Sequence, residues 1–370
     1  MAKDKKKKKK VIVAMSGGVD SSVAAKLLKD QGYNVLGIFL YFWKEEKIGD
    51  FEFENKCCSV KAYLDASRVC QKLGIRLYTL NFSREFKKDV VNNFLDEYKS
   101  GRTPNPCVLC NKLVKLGLLI KKAKQLGYDF VATGHYVRLK PEIQNPKSKI
   151  QKKLLRAKDR LKDQSYFLYR LNQEELSHLI FPLGNFTKDE VRKMAEKFKL
   201  PVAKKKDSQE VCFIPEKSHN EFLKRNLKMK SGPIKTIDRK IIGKHQGLPL
   251  YTIGQRKGVE IGGIGPFYVA QTDYKTNTLY VVKNENDAFL FKKELIAKDI
   301  NWILDKLPKP PLKCQAVIRY RHQPVQCKIT KLKFNNRYKV KFSKPQRAVT
   351  SGQSVVFYKN EEVLGGGVIE

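Results

Sequence analysis

The chain predicts an α/β protein in which a parallel-sheet domain precedes a small central domain and a C-terminal antiparallel β-domain. Three observations carry this reading. Strand-like and helix-like segments alternate from residue 11 to about 135, the mark of a parallel sheet covered on both faces. The apolar run from Val11 to Ala14 ends in Ser16-Gly17-Gly18 and leads directly into a helical pattern. From about Lys230 onward, Gly, Pro and β-branched residues crowd in between short strand-like runs, which suggests a small barrel or sandwich.

Taken in order, strand 11–14 is followed by a helix over 21–29, with Val23, Ala24, Leu27 and Leu28 at helical spacing. Residues 33–39 read as a strand and 61–73 as a helix, with Ala62, Leu64, Ala66, Val69 and Leu73 on one side. A strand at 75–80, helices at 85–99 and 113–126, and a short strand at 128–132 complete the alternation. That last strand ends at Thr133-Gly134-His135. Residues 140–153 are polar, hold two prolines and read as a surface loop. Helical spacing returns at 166–171 and 188–198, the second opened by a Thr187/Glu190 capping box. Gly-rich sequence (Gly243, Gly247, Gly254, Gly258, Gly262, Gly263, Gly265) and strands at 267–270, 278–282, 313–319, 325–331, 338–342 and 354–358 follow. No internal repeat is visible. The expected divisions are a solvated tail at 1–10, a catalytic domain at 11–218, a central domain at 219–290 and a barrel at 291–370.

The charge balance is unusual. Against 37 acidic residues stand 75 Lys and Arg, a net +38. Such an excess favours a polyanionic partner bound through phosphates, or reflects a general lysine bias; charge alone does not choose. Residues 1–10 hold seven lysines and lack the apolar region of a secretory signal. No segment has the uninterrupted apolar length of a membrane span. Eight cysteines without an export signal point to reduced thiols, and a cytoplasmic location is expected.

The Ser16–Ser22 loop is the first site of chemistry. Pinned between a strand and a helix N-terminus, it aims backbone N–H groups and the positive helix end at one point, an anion site. Two glycines admit a phosphate closely, Ser16, Ser21 and Ser22 add hydroxyls, and Asp20 is placed to hold a divalent cation. Unlike the GxxxxGK[ST] loop, it carries no lysine. The strand-end rule for open parallel sheets puts Leu40 and Gly134 on the same rim.

Cysteines supply the second. Cys107-Val108-Leu109-Cys110 follows Thr103-Pro104-Asn105-Pro106, whose prolines exclude helix there; a CxxC pair leading into a helix is a setting that lowers thiol pKa. Cys212 follows the lysine-rich 204–206, which also favours thiolate. Cys70, Cys314 and Cys327 read as small buried hydrophobes, as do Cys57 and Cys58, although the last two are also candidate zinc ligands.

Ser-Gly-Gly-Val-Asp-Ser resembles the pyrophosphate-binding (PP) loop of the adenylating ATP pyrophosphatases. With Gly101-Arg-Thr-Pro-Asn-Pro-Cys-x-x-Cys-Asn111, Ala132-Thr-Gly-His-Tyr136, Lys162-Asp-Gln-Ser-Tyr-Phe-Leu168, Phe181-Pro-Leu-Gly184, Asp207-Ser-Gln-Glu-Val-Cys-Phe-Ile214, 247–256 and Ile318-Arg-Tyr-Arg321, nearly the whole chain resembles the bacterial and organellar tRNA 2-thiouridylases. The resemblance implies a PP-loop domain, a central domain and a C-terminal β-barrel. It also implies exchange of O2 for sulfur in the wobble uridine of tRNAs for Lys, Glu and Gln. Ala14, Met15, Ser16, Gly17, Gly18, Val19, Asp20, Ser21, Leu40 and Gly134 would bind ATP with Mg2+. Cys212 would carry sulfur as a persulfide, with Cys110 as partner nucleophile. Asn105, Pro106 and Cys107 would meet the target base, while Lys162, Asp163, Gln164, Arg319 and Tyr320 would contact tRNA. Some relatives have Asp at the position of Cys107, and three thiolates here could instead hold an iron–sulfur cluster. The sulfur donor would be a relay protein or cysteine desulfurase. Another thiolase of tRNA, an amidotransferase or ligase with the same loop, and a non-catalytic RNA-binding protein are the competing readings. The absence of a glutaminase-like signature and the retained cysteines disfavour the last two.

Overall fold

The computed structural model describes residues 8–43, 59–142, 150–206, 212–214, 219–259, 266–304, 309–333 and 336–370. The tail through residue 7, Cys57 and Cys58, the centre of the 140–153 segment, residues 207–211 of the Cys212 motif, and Gly262, Gly263 and Gly265 lie outside them.

Five parallel strands form the first sheet in the order β3-β2-β1-β4-β7: β1 (Lys10–Ala14), β2 (Asn34–Tyr41), β3 (Arg76–Asn81), β4 (Phe130–Ala132) and β7 (Leu179–Ile180). Two-residue alternation sends successive side chains to opposite faces. Val11 and Val13 pack with Val23 and Leu28 of helix Val19–Asp30 and with Val191 of helix Lys188–Lys197. Ile12, Leu36 and Ile38 pack on the other face against Phe86, Phe94, Val114 and Leu119. The strand order reverses at β1, so a crevice opens at the carboxyl ends of β1 and β4, where ligands bind in such sheets. The helix expected at 61–73 spans Val60–Leu73, capped by Ser59, whose hydroxyl accepts from the Ala62 N–H at 3.1 Å. Its Leu64 is exposed rather than on the packed side.

Two expectations need correction. The segment 140–153 is not simply a loop: its ends belong to the hairpin β5 (Val137–Glu142) and β6 (Gln151–Arg156). Leu154 is fully buried there, and Pro141 sits on the outer strand, where a missing N–H costs no ladder bond. The 166–171 stretch is not a helix. Only Ser165–Phe167 forms a 3-10 turn, because Tyr166 and Tyr169 are drawn into buried contacts with the barrel: the Tyr166 hydroxyl donates to the Ser354 carbonyl at 2.8 Å.

The central domain has a four-stranded sheet, β10-β11-β8-β9, from β8 (Gly232–Thr236), β9 (Ile241–His245), β10 (Tyr268–Asp273) and β11 (Thr278–Val282). The C-terminal domain is a closed six-stranded antiparallel barrel: β12 (Phe291–Trp302), β15 (Tyr338–Arg347), β14 (Val325–Lys331), β13 (Leu312–Val317), β16 (Ser354–Lys359) and β17 (Glu362–Ile369), with β17 pairing back to β12. The β5–β6 hairpin extends this sheet through β6–β17, so the first domain is stitched to the barrel by backbone hydrogen bonds.

At that seam, a Cβ on Gly366 would lie 2.6 Å from the Val355 carbonyl and 2.7 Å from the buried Tyr169 ring. Gly366→Ala is therefore expected to cost about 1–3 kcal/mol by overpacking, read as a fall in the denaturation midpoint with an unchanged far-ultraviolet spectrum.

Candidate active site

The loop after β1 is built by its own hydroxyls. Gly17 has φ +68°, and a Cβ there would stand 2.1 Å from the Ala62 carbonyl oxygen, so only glycine lets the loop settle on helix Val60–Leu73. The Ser21 hydroxyl donates to the Gly18 carbonyl at 3.2 Å and accepts from the Ser16 N–H at 3.2 Å. The Ser22 hydroxyl donates to the same carbonyl at 2.8 Å and is fully buried, so it shapes the loop instead of facing a ligand. Gly18 is the helix N-cap and offers no capping side chain, which leaves the first-turn N–H groups to an anion. Gly134 approaches that turn so closely that a Cβ would come within 2.8 Å of the Ser21 nitrogen.

Ala14, Met15, Ser16, Asp20, Ser21, Leu40 and Gly134 line one cleft, open to solvent on one side. Gly17, Gly18 and the buried Val19 form its supporting backbone. Phe42, Lys115, Thr133, His135 and Gln164 line it as well, and of these only Gln164 was singled out from sequence, for a tRNA contact.

The loop lacks a lysine, but the fold brings three. Lys188 donates to Asp20 Oδ1 at 2.7 Å, an atom that also accepts from the Tyr136 hydroxyl at 2.8 Å. Lys205 bridges the Gly17 carbonyl at 2.9 Å and Asp65 Oδ2 at 2.7 Å. Lys115 borders the cleft. Lys188 was legible only as the first residue after a capping box; Lys205 lay in a charge run. With Oδ1 taken, Asp20 Oδ2 is the oxygen left to a divalent cation, a single carboxylate that fits Mg2+ carried in largely by phosphates. His135, buried and beside Lys115, has its pKa pushed down to about 3, and its Nδ1 lies 2.7 Å from the Thr133 hydroxyl.

Helix Pro106–Leu109 begins with Pro106 at its first position and runs on through Cys110–Leu118 and Leu119–Gln125. The expectation that Pro106 excludes helix is thus corrected: a first-turn residue has no intrahelical N–H bond to lose, and proline's φ suits it. The expectation of a lowered thiol pKa fails at Cys107. Burial, reinforced by Cys212 and only partly opposed by Lys115, pushes it up to about 11, so it stays a neutral thiol. Those same influences place Cys107, Cys212 and Lys115 in one neighbourhood. Cys110 is buried one turn further along and, like Cys212, is not in a disulfide. Among the described residues, no three His, Cys, Asp or Glu side chains are grouped to hold a metal ion.

The remaining site residues converge on the Ser165–Phe167 turn. Asn105 hydrogen-bonds the Tyr166 side chain. Tyr320 packs 4.5 Å from Phe167, with the Arg321 guanidinium 5.3 Å over its ring. Arg319 lies beside Tyr166, and its burial lowers its pKa. Gln164 accepts from the Tyr136 N–H at 3.0 Å. Asp163 is buried, and its carboxylate accepts from the Ala157 N–H, the Ser165 N–H and the Ser165 hydroxyl, so it organises the turn from within. The backbone N–H of Lys162 donates to Asp159.

Two outcomes follow from this geometry. Gly17→Ala, strained in φ and blocked by the Ala62 carbonyl, should lose about 1–3 kcal/mol of stability in urea titration and weaken ATP binding measured by calorimetry. His135 should stay neutral from about pH 5 to about pH 8, seen as invariant imidazole nitrogen shifts in NMR. Because its folded pKa lies below the ordinary 6.5, this group lowers folding stability only as pH falls from 6.5 towards 3.

Comparison with known proteins bears directly on this site. Residues 9–216 match the family described as the tRNA methyl transferase HUP domain, 220–283 its PRC-barrel domain, and 292–369 the aminomethyltransferase beta-barrel domain. The tRNA-specific 2-thiouridylase MnmA of Clostridium perfringens is 48% identical over 97% of this chain and 98% of its own. That of Tolumonas auensis is 46% identical over 97% and 96%, and that of Serratia proteamaculans 46% identical over 97% and 96%. The cleft, the cysteines and all three domains thus lie inside the matched length, and the chain belongs to the tRNA-specific 2-thiouridylase family.

Proposed function

We propose that this protein is a tRNA sulfurtransferase that replaces O2 of the wobble uridine with sulfur in tRNAs for Lys, Glu and Gln, at the expense of ATP. The observation that carries it is Lys115, which borders the nucleotide cleft and acts electrostatically on Cys107, itself a neighbour of Cys212. Lys115 thereby links the nucleotide cleft to the neighbourhood of Cys107 and Cys212, which supports reading the two as parts of one reaction site.

In this reading Ala14–Ser21, Leu40 and Gly134 bind ATP, and Mg2+ travels with its phosphates. Uracil O2 attacks the α-phosphorus, the α–β bridging P–O bond breaks, and pyrophosphate departs towards the loop amides. Cys212, loaded as a persulfide by a relay protein or cysteine desulfurase, attacks C2 with its terminal sulfur, and AMP leaves with the original oxygen. The Cys110 thiolate then attacks the Cys212 sulfur; the S–S bond breaks, its electron pair stays with the sulfur on C2, and a Cys110–Cys212 disulfide forms. A thiol reductant supplies the two electrons that reset the pair. Alternatively, Cys110 acts earlier and releases the persulfide sulfur. Asn105, Pro106 and the neutral Cys107 border the extruded base, while Lys162–Gln164, Arg319 and Tyr320 serve the anticodon strand. Residues 11–218, 219–290 and 291–370 form the catalytic, central and barrel domains. No described helix is long and apolar enough to cross a membrane, and we place the enzyme in the cytoplasm.

The test uses ATP, unmodified tRNA and a persulfide donor, with nucleoside mass spectrometry. Wild type should form 2-thiouridine and AMP; Cys110→Ser and Cys212→Ser should each lower the product by about 10³-fold or more while still binding ATP. Sulfur at uracil C4, or amide or ester formation on a carboxylate in place of thiolation, would overturn the assignment.

A further inference from the structure

The Lys188–Asp20 pair has a geometry that a purely structural ion pair does not require. Lys188 is the first residue of helix Lys188–Lys197, and its backbone is held at both ends of the turn. Its N–H donates to Asp159 Oδ2 at 2.9 Å, and the Thr187/Glu190 capping box closes with bonds of 3.2 and 2.6 Å. From that fixed base its side chain, only 9% exposed, reaches Asp20 Oδ1 at 2.7 Å. Asp20 is 34% exposed and lines the nucleotide cleft. The ammonium is therefore the more deeply set partner, aimed from behind at a carboxylate on the first turn of helix Val19–Asp30. Asp20 also has a second donor in the Tyr136 hydroxyl, so it keeps a hydrogen bond when the lysine leaves.

We propose that Lys188 is the cation that the loop itself lacks: on nucleotide binding it moves from Asp20 to the β- and γ-phosphates and receives the departing pyrophosphate. This rests on the adenylation reading given above and adds to it a catalytic residue contributed by a distant helix. A lysine serves phosphate as a compact point charge with three donors, and a polyphosphate outbids one carboxylate for it. Lys205 cannot take this role without releasing both Gly17 and Asp65, whose bonds to it brace the loop.

The experiment measures binding of inorganic pyrophosphate, ATP and AMP by calorimetry, without tRNA or sulfur donor, so that it stands whether or not thiolation is the reaction. Lys188→Met is expected to weaken pyrophosphate and ATP by about tenfold or more while changing AMP by less than about twofold. With tRNA present, kcat for AMP formation should fall more than KM for ATP rises. Because Lys188→Met alone leaves Asp20 without its partner, Asp20→Asn/Lys188→Met removes both charges together. If the double variant regains wild-type pyrophosphate affinity, Lys188 is only a counter-ion and the proposal fails; it also fails if Lys188→Met binds pyrophosphate as wild type does. Weaker pyrophosphate binding by the double variant than by Asp20→Asn alone, at wild-type thermal stability, supports it. Loss of thiolation with intact pyrophosphate dependence on Lys188 would reject the tRNA reading alone.

Discussion

The hydrogen bond from the Thr103 N–H to the Ser351 carbonyl, 2.9 Å long, holds the thiol-bearing helix where the rest of the site needs it. Gln353 adds two more, donating through Nε2 to the Thr103 carbonyl at 2.9 Å and the Pro104 carbonyl at 3.0 Å. The Thr103 and Thr252 hydroxyls, 3.3 Å apart, tie the same segment to the central domain. Residues 103–106 thus lie at a three-way junction. Pro104 and Pro106 remove two backbone donors and most of the φ freedom, so the few partners supplied by the other domains suffice to fix the chain. The barrel's closure through β12–β17 matters to the site for this reason: Ser351 and Gln353 sit at the entrance to β16, inside the closed ring.

Charge is arranged on the same logic. Lys115, Lys188 and Lys205 stand around the loop, the last two paired with Asp20 and Asp65, while burial keeps His135 a neutral imidazole and Cys107 a thiol. The overall +38 is a separate matter, spread over exposed lysines and available to a polyanion at long range.

How much of this was legible in the sequence depends on the range of the interactions involved. Local rules found the strand, loop and helix around Ser16–Ser22, the Thr187/Glu190 capping box and most barrel strands, because period-2 and 3.6 patterns and caps act within a few residues. The β5–β6 hairpin was hidden because its polar outer face looks like a loop until β17 pairs with it. β17 was hidden by Gly365-Gly366-Gly367, residues poor in strand propensity but needed where Tyr169 presses on Gly366 and β12 crowds Gly365 and Gly367. The cleft's loop residues were legible as a motif. Phe42, Thr133 and His135 lie within two residues of the Leu40 and Gly134 that the strand-end rule put on the rim but carry no signal of their own, and nothing in the segment of Lys188 signals that folding brings it to the loop. Cys107 shows the limit of local electrostatics: a first-turn position lowers a thiol pKa only where the sulfur stays solvated, and here desolvation wins.

The turn at Ser165–Phe167 explains how two chemistries can be kept in register. Gln164 borders the nucleotide cleft, Tyr166 bonds Asn105, and Phe167 packs on Tyr320, so successive residues touch the ATP side, the base side and the RNA side of the proposed reaction. Their spacing is set by covalent geometry, not by domain docking. Asp163 makes the turn stiff: three donors from Ala157 and Ser165 satisfy its buried carboxylate, and the Arg156 guanidinium approaches at 3.3 Å. Burial raises the pKa of this carboxylate, and its bonds to Ala157 and Ser165 and the nearby Arg156 oppose that rise while tying Ala157 to the turn. The distance between an adenylated oxygen and the sulfur that replaces it must survive the entry of a large, flexible RNA. A short turn held by Asp163 on one side and by Ser354 and Tyr358 of the barrel on the other meets that requirement, because the bonds that define it are buried.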